Sequence, residues 1–401
     1  MRHLGRSHSL KVLRLLLVAG TMLVGMQALR SAPSARSPSL RLSGDIVPAH
    51  DPVLIRQGDR YYAYATGQRD RRPLVARMSR DLRHWTPLPS PLAAIPGWAQ
   101  TIIPTAREMW APDISRVGGR YRLYYSISSF GQQRSVIGLA TAATLDPGSP
   151  HYGWRDEGLV IASRSGDDFN AIDPNFVQDR QGGQWLTFGS FWGGIQLVRL
   201  DPRSGKPDDG AKPTMIARRA TTEREDAIEA PFIIDHGGWY WLIVSFDYCC
   251  RGVKSSYHLR IGRARSIAGP YVDRVGRAMR DGGGTVLLRA DAEGRDRFRG
   301  PGHAAVLRDR DGRDYLVHHA YDSEAGGRPH AADRTAALGR GRLAGGRAGD
   351  ALAEEASSSE STAKSARCRL ISNKQTRESR ASCQSGSAYY LITLRKIPCW
   401  R

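Results

Sequence analysis

Cysteine, long apolar runs and acidic residues are all scarce in this 401-residue chain. Only five cysteines occur, Cys249, Cys250, Cys368, Cys383 and Cys399. The number is odd and no pair has zinc-ligand spacing, which excludes a disulfide framework and a structural zinc site. The adjacent Cys249 and Cys250 are expected as buried thiols, with a strained vicinal bridge as the alternative. Leu15–Met26, the apolar run near the N-terminus, has twelve residues. As a helix it spans about 18 Å, short of the roughly 30 Å of a bilayer core. No other segment approaches that length, so the mature protein is expected to be soluble. Acids number 39 against 59 Lys and Arg, a formal charge of +20. Residues 1–40 carry +6 of this and residues 323–401 carry +7, which leaves +7 on 41–322, where both signs are interspersed. There is no continuous basic stripe with interleaved aromatics, so no nucleic-acid partner is expected.

Apolar residues make up 40% of the chain and charged residues 24%, enough apolar material for a sizeable core. The 43 Gly and 22 Pro suit a turn-rich, mostly β protein. At the N-terminus, Arg2, Arg6, Lys11 and Arg14 precede the apolar run, and Ser31, Ala32, Ser34 and Ala35 follow it. A basic head, a short apolar stretch and a small-residue exit are the parts of a secretory signal over residues 1–35. The protein is therefore expected to be secreted or periplasmic, with an uncleaved anchor as the alternative.

Five segments share one plan: HDPVLIRQGDRYYAYATG from His50, APDISRVGGRYRLYYSIS from Ala111, IDPNFVQDRQGGQWLTFGSF from Ile172, EAPFIIDHGGWYWLIVSF from Glu229 and GHAAVLRDRDGRDYLVHHAYD from Gly302. Each opens on a polar residue, usually beside Pro, then gives a short apolar strand, a Gly/Asp turn and an aromatic-rich strand. Such pairs read as hairpins. Further strand-like runs lie between them, such as Ser135–Ala140 and His258–Ala264. Five units of about four strands and roughly 60 residues predict an all-β, five-bladed β-propeller over residues 41–325. A two-sheet sandwich would not produce that period. The openers Asp51, Asp113, Asp173, Glu229 and His303 are then expected to converge on the propeller axis. Acids crowded there would have their pKa values driven apart. Glycoside hydrolysis needs that separation, because one carboxyl must be ionised and another protonated across the scissile bond.

The segment from about Asp45 to Asp322 resembles the family 43 glycoside hydrolases, and within them the endo-1,5-α-L-arabinanases. The motifs that carry the resemblance are HDPVLI, MWAPDI, NAIDPN, GSFWGGIQL, AIEAPFI and VSFDYCCRG. It implies an inverting hydrolase, with Asp51 as general base, Glu229 as general acid, and Asp173 holding the acid and raising its pKa. It further implies sugar contacts by Gly131, by Asn170, Ala171, Ile172 and Asp173, and by Ser190, Phe191 and Trp192. Trp110 is placed either to stack on a pentose ring or to pack within a blade. His303 would lie on the axis near a calcium ion, with a bare structural His as the alternative. The implied substrate is arabinan or a pectin-derived arabino-oligosaccharide, and the enzyme is expected as a monomer. An exo-acting arabinofuranosidase or xylosidase and a non-catalytic carbohydrate-binding propeller are the competing readings.

The pattern fails beyond Asp322. Between Ala331 and Ala356, 18 of 26 residues are Ala, Gly or Arg, and none is Val, Ile, Phe, Tyr or Trp. This composition resembles translation in a shifted frame, or else a disordered appendage. Residues 330–401 are expected as a low-complexity tail that adds nothing to the propeller and leaves its fifth blade incomplete.

Overall fold

Aromatic and β-branched residues in the second strand of each repeat, bounded by Gly/Asp turns, produce hairpins that extend into separate antiparallel sheets. The computed structural model describes residues 40, 42–220, 226–324 and 387–394. The signal expected over 1–35 and most of the tail expected over 330–401 lie outside the described residues. The first sheet contains β1 (Ser43–Gly44), β2 (Val53–Gln57), β3 (Arg60–Gln68), β4 (Arg72–Ser79) and β5 (His84–Leu88), with β1 running parallel to β5. The second holds β6 (Trp110–Val117), β7 (Arg120–Ile127), β8 (Ser135–Ala142) and β9 (Trp154–Ser163). The third holds β10 (Asn175–Gln178), β11 (Gln184–Phe188), β12 (Ile195–Leu200) and β13 (Thr214–Ala217). The fourth holds β14 (Ile228–His236), β15 (Trp239–Phe246), β16 (His258–Ala264) and β17 (Thr285–Leu288). A three-stranded sheet contains β18 (Phe298–Arg308), β19 (Asp314–Asp322) and β20 (Ser387–Leu394).

The apolar clusters show how these sheets are arranged. One joins the first, second and last sheets through residues such as Leu54, Leu123 and Val317. Others join the second to the third, the third to the fourth, and the fourth to the last. The strands that open the sheets also touch in chain order, and β18 returns to β2. This is an all-β propeller. Packing on both faces explains why β7 and β8 are almost wholly buried while the outer β9 is half-exposed.

Two expectations need correction. Cys249 and Cys250 are joined in a disulfide and are not free thiols. They are half-buried beside polar groups, so apolar burial, the reason for expecting thiols, does not apply. The chain beyond residue 330 also contributes a strand, since β20 pairs with β19 over its whole length, from Ser387 opposite Tyr321 to Leu394 opposite Asp314. Its sequence, SAYYLITL, is rich in aromatic and β-branched residues, unlike the Ala/Gly/Arg stretch before it.

Candidate active site

The inner end of each sheet carries one residue in the left-handed region: Asp51 (φ 52°), Ala111 (45°), Asp173 (59°), Ala230 (56°) and His303 (49°). Pro follows the first four and Ala304 follows His303. The conformation is costly for a side chain bearing Cβ, so the surrounding structure must hold it. Each of these residues donates its backbone N–H to a side chain of the preceding sheet. Ala111 donates to Thr66 Oγ1 (2.9 Å), Asp173 to Ser126 Oγ (3.0 Å) and Ala230 to Asp173 Oδ2 (3.2 Å). His303 donates to Ser245 Oγ (2.9 Å), and Asp51 to His319 Nδ1 (3.2 Å). The last of these joins the three-stranded sheet to the first.

The sequence alignment of openers is therefore off register in two repeats. Glu229 precedes the left-handed position by one residue and Asp113 follows it by two. Asp113 is consequently drawn into the packing, where it accepts from Phe176 N (2.8 Å) and Asn175 Nδ2 (3.2 Å). Burial pushes its carboxyl up to about 6 despite these donors. The two hydrogen bonds tie β6 to β10.

Asp51, Asp173, Glu229 and His303 do come together, each in its own electrostatic setting. Asp51 has His50 Nδ1 at 3.0 Å, His303 Nδ1 at 3.1 Å and the Thr66 hydroxyl at 2.5 Å. Burial alone would raise its pKa, but the His50 and His303 rings, both within hydrogen-bond distance of it, hold it well below the usual carboxylate range. Burial opposes charge on His303 too, yet the carboxylates of Asp51, Asp173 and Glu229 push the imidazole up to about 9. Glu229 accepts from Ser190 Oγ at 2.7 Å and from Tyr257. Burial nevertheless raises it, with the Asp51 charge adding to the effect. Burial is also the main cause for Asp173, which lies well above its ordinary range with help from Glu229 and Asp51. Burial leads for both acids, and the repulsion between Asp173 and Glu229 is felt at Asp173.

Of the residues expected to contact sugar, Ser190 lies against Glu229 through a bridge between their backbones. Phe191 and Trp192 follow in left-handed conformations, and Trp192 is 40% exposed. Gly131 is also left-handed, with open space where a side chain would stand. Asn170 and Ala171 are buried and tied to the second sheet, Asn170 accepting from Ser135 Oγ (2.7 Å) and Ala171 donating to Ser163 Oγ (2.9 Å). Ile172, also buried, leads directly into Asp173. Trp110 is half-buried and donates its indole N–H to Glu108 (3.3 Å).

Residues 46–342 match the model for glycosyl hydrolases family 43. The chain belongs to this family. The extracellular endo-α-(1→5)-L-arabinanase 1 of Bacillus subtilis is 41% identical over 281 residues, covering 70% of this chain and 82% of that protein. The extracellular exo-α-(1→5)-L-arabinofuranosidase ArbA of Cellvibrio japonicus is 38% identical over 302 residues, covering 73% and 84%. Among solved structures, the family 43 endo-arabinanase of Bacillus licheniformis superposes with a TM-score of 0.65 at 44% identity, covering 72% of this chain and 93% of that one.

The cluster of this family 43 glycoside hydrolase also contains residues that sequence reasoning passed over. His50 and His319 stack with ring centroids 4.0 Å apart, and the Tyr257 ring lies 22° from parallel with His319 at 5.8 Å. Tyr257 can approach Glu229 because Gly302 has no side chain; a Cβ there would collide with the Tyr257 ring. Phe191 packs against Tyr248, beside the Cys249–Cys250 bridge. The HD dipeptide at 50–51 and the HHAYD run at 318–322 were visible signals. Among the described residues, His50, Asp51 and His319 form a group whose ligand atoms lie within 4.8 Å of one another. Asp51 and His319 are already hydrogen-bonded to each other within it.

Proposed function

We propose that this family 43 hydrolase is exported and cleaves α-1,5-linked L-arabinan internally, with inversion. The observation that carries the reading is the opposite bias of two buried carboxyls in one cluster: Asp51 is held ionised and Glu229 is held towards its protonated form. Asp51 takes a proton from a water molecule as that water attacks the anomeric carbon. Glu229 gives its proton to the leaving oxygen on the opposite face. Asp173 accepts from the N–H of Ala230, the residue after Glu229, and so holds the acid in place. Relatives named extracellular arabinanases support the substrate and the export, as does the basic and apolar N-terminus. The ring-closing contacts of the three-stranded sheet support reading it as a fifth blade.

A calcium ion belongs to the same proposal. His303 Nδ1 donates to Asp51 Oδ1, so a cation would bind at Nε2 by replacing the proton that the ring carries there in the metal-free protein. Calcium prefers six to eight oxygen ligands, so water would complete its shell. When bound, the ion supplies positive charge that offsets the surrounding carboxylates.

Incubation with linear arabinan, with products sized over time, tests the function. Arabino-oligosaccharides should appear first, and the first product should have inverted anomeric configuration by proton NMR. Arabinose alone would favour the exo reading, which one relative's activity supports. Absence of products would leave a binding propeller.

A further inference from the structure

The Tyr321 hydroxyl on β19 stands between two groups from other parts of the chain. It accepts the backbone N–H of Cys250 at 2.8 Å and lies 3.0 Å from His50 Nε2. On the other side of the same imidazole, His50 Nδ1 lies 3.0 Å from Asp51 Oδ2. Tyr321 and His50 are both buried, so water does not compete for these contacts. Proton counting then orders the chain. An amide can only donate, so Cys250 occupies a lone pair of the phenol oxygen. The phenol has one proton, and with a neutral His50 its acceptor is His50 Nε2. The ring proton therefore sits on Nδ1 and points at Asp51. The opposite tautomer would set the Nδ1 lone pair against a carboxylate oxygen and leave the phenol proton without this acceptor.

The rest of the neighbourhood holds this order in place. Cys250 is bridged to Cys249 and takes a left-handed conformation (φ 63°), which fixes its N–H. Stacking on His319, 21° from parallel, prevents the His50 ring from turning away.

We propose that Tyr321 is a positioning residue: it sets the tautomer of His50 and keeps a donor, not a lone pair, against Asp51, with the bridged Cys249–Cys250 turn as its anchor. The inference rests on the reading of Asp51 as the base. It gives the three-stranded sheet a part in the chemistry that the sugar-facing loops do not have.

The test is Tyr321→Phe, which keeps the ring and removes the hydroxyl. Turnover of linear arabinan should fall about tenfold, the equivalent of one hydrogen bond, with KM unchanged. In a His50→Asn background the amide N–H reaches Asp51 without help from Tyr321, so adding Tyr321→Phe should cost nothing further. Full kcat in Tyr321→Phe, a rise in KM alone, or losses that multiply in the double variant would overturn the inference. Histidine ¹⁵N NMR of the unmodified protein, with the His50 signal assigned by its loss in His50→Asn, gives an answer that does not depend on how the variants fold. It should report the Nδ1–H tautomer, and an Nε2–H tautomer would overturn the proposal. Asp51→Asn separates the two readings: if it stays active, the base assignment itself fails. If it is inactive while Tyr321→Phe turns over normally, only the role of Tyr321 is lost.

Discussion

Two halves of one carboxylate cluster behave in opposite ways although both are buried. On the Asp51 side, His50, His303 and Thr66 all reach the carboxylate, and it stays ionised. On the Glu229 and Asp173 side the partners are Ser190, Tyr257 and a backbone N–H, and both acids are raised. Burial is the first cause on both sides, so burial alone cannot decide protonation. The charge of His303 reaches all three acids, but it outweighs desolvation only at Asp51, which also accepts hydrogen bonds from His303 and His50. At Asp173 and Glu229 it acts from further away and only reduces the effect of burial. The ring of left-handed residues assigns these partners, because it determines which side chain of one sheet meets which acid of the next.

The largest test of this contrast removes one acid at a time. Asp51→Asn and Glu229→Gln should each lower kcat by about 10²–10⁴-fold with melting temperatures close to the parent, since each loses one proton-transfer partner. A variant retaining full turnover would break the assignment of that half.

Asp113 offers a control, a buried acid outside the cluster. Its folded-state pKa near 6 lies above the ordinary 3.8, so the folded protein binds the proton more tightly than the unfolded chain. The wild type should therefore lose about 3 kcal/mol of stability as pH rises from about 4 through 6. Asp113→Asn, with no charge to bury, should lack that loss. Denaturant unfolding at pH 4, 5 and 7 measures the difference, and parallel pH curves for the two proteins would contradict it.

Ser190 sharpens the Glu229 half. Its hydroxyl favours the ionised carboxylate, so Ser190→Ala should raise the pKa of Glu229. The basic limb of the pH–rate profile should then move up by about one pH unit. A basic limb that stays in place or moves down would remove Ser190 from control of the acid.

The smallest effect is expected for calcium. At a free concentration about ten times Kd, binding only the folded state adds about 1.4 kcal/mol. Chelation should lower the melting temperature by a few degrees, and His303→Ala should abolish the response. Metal analysis of purified protein returning no calcium would end that proposal.

Much of the architecture was legible because it is local. Hairpins follow from alternating apolar residues around Gly/Asp turns, and their recurrence near 60 residues reveals a ring. The acids Asp51, Asp173 and Glu229 stood out through their Asp-Pro and Glu-Ala-Pro settings. The two-residue displacement of Asp113 was hidden, because a polar residue near Pro looks alike on either side of a left-handed position. The Cys249–Cys250 disulfide was not legible, because adjacency alone does not show whether two sulfurs meet. The final strand was missed because it follows a long stretch without strand character.

By itself, then, the sequence determined the hairpins, their repeat and the identity of the acids, since each depends on residues close together along the chain. Only the tertiary structure decided which acid is ionised. His50 is the neighbour of Asp51 in sequence, but His303 and His319 lie more than 250 positions away. Their charge and lone pairs reach Asp51 only when the last sheet closes against the first.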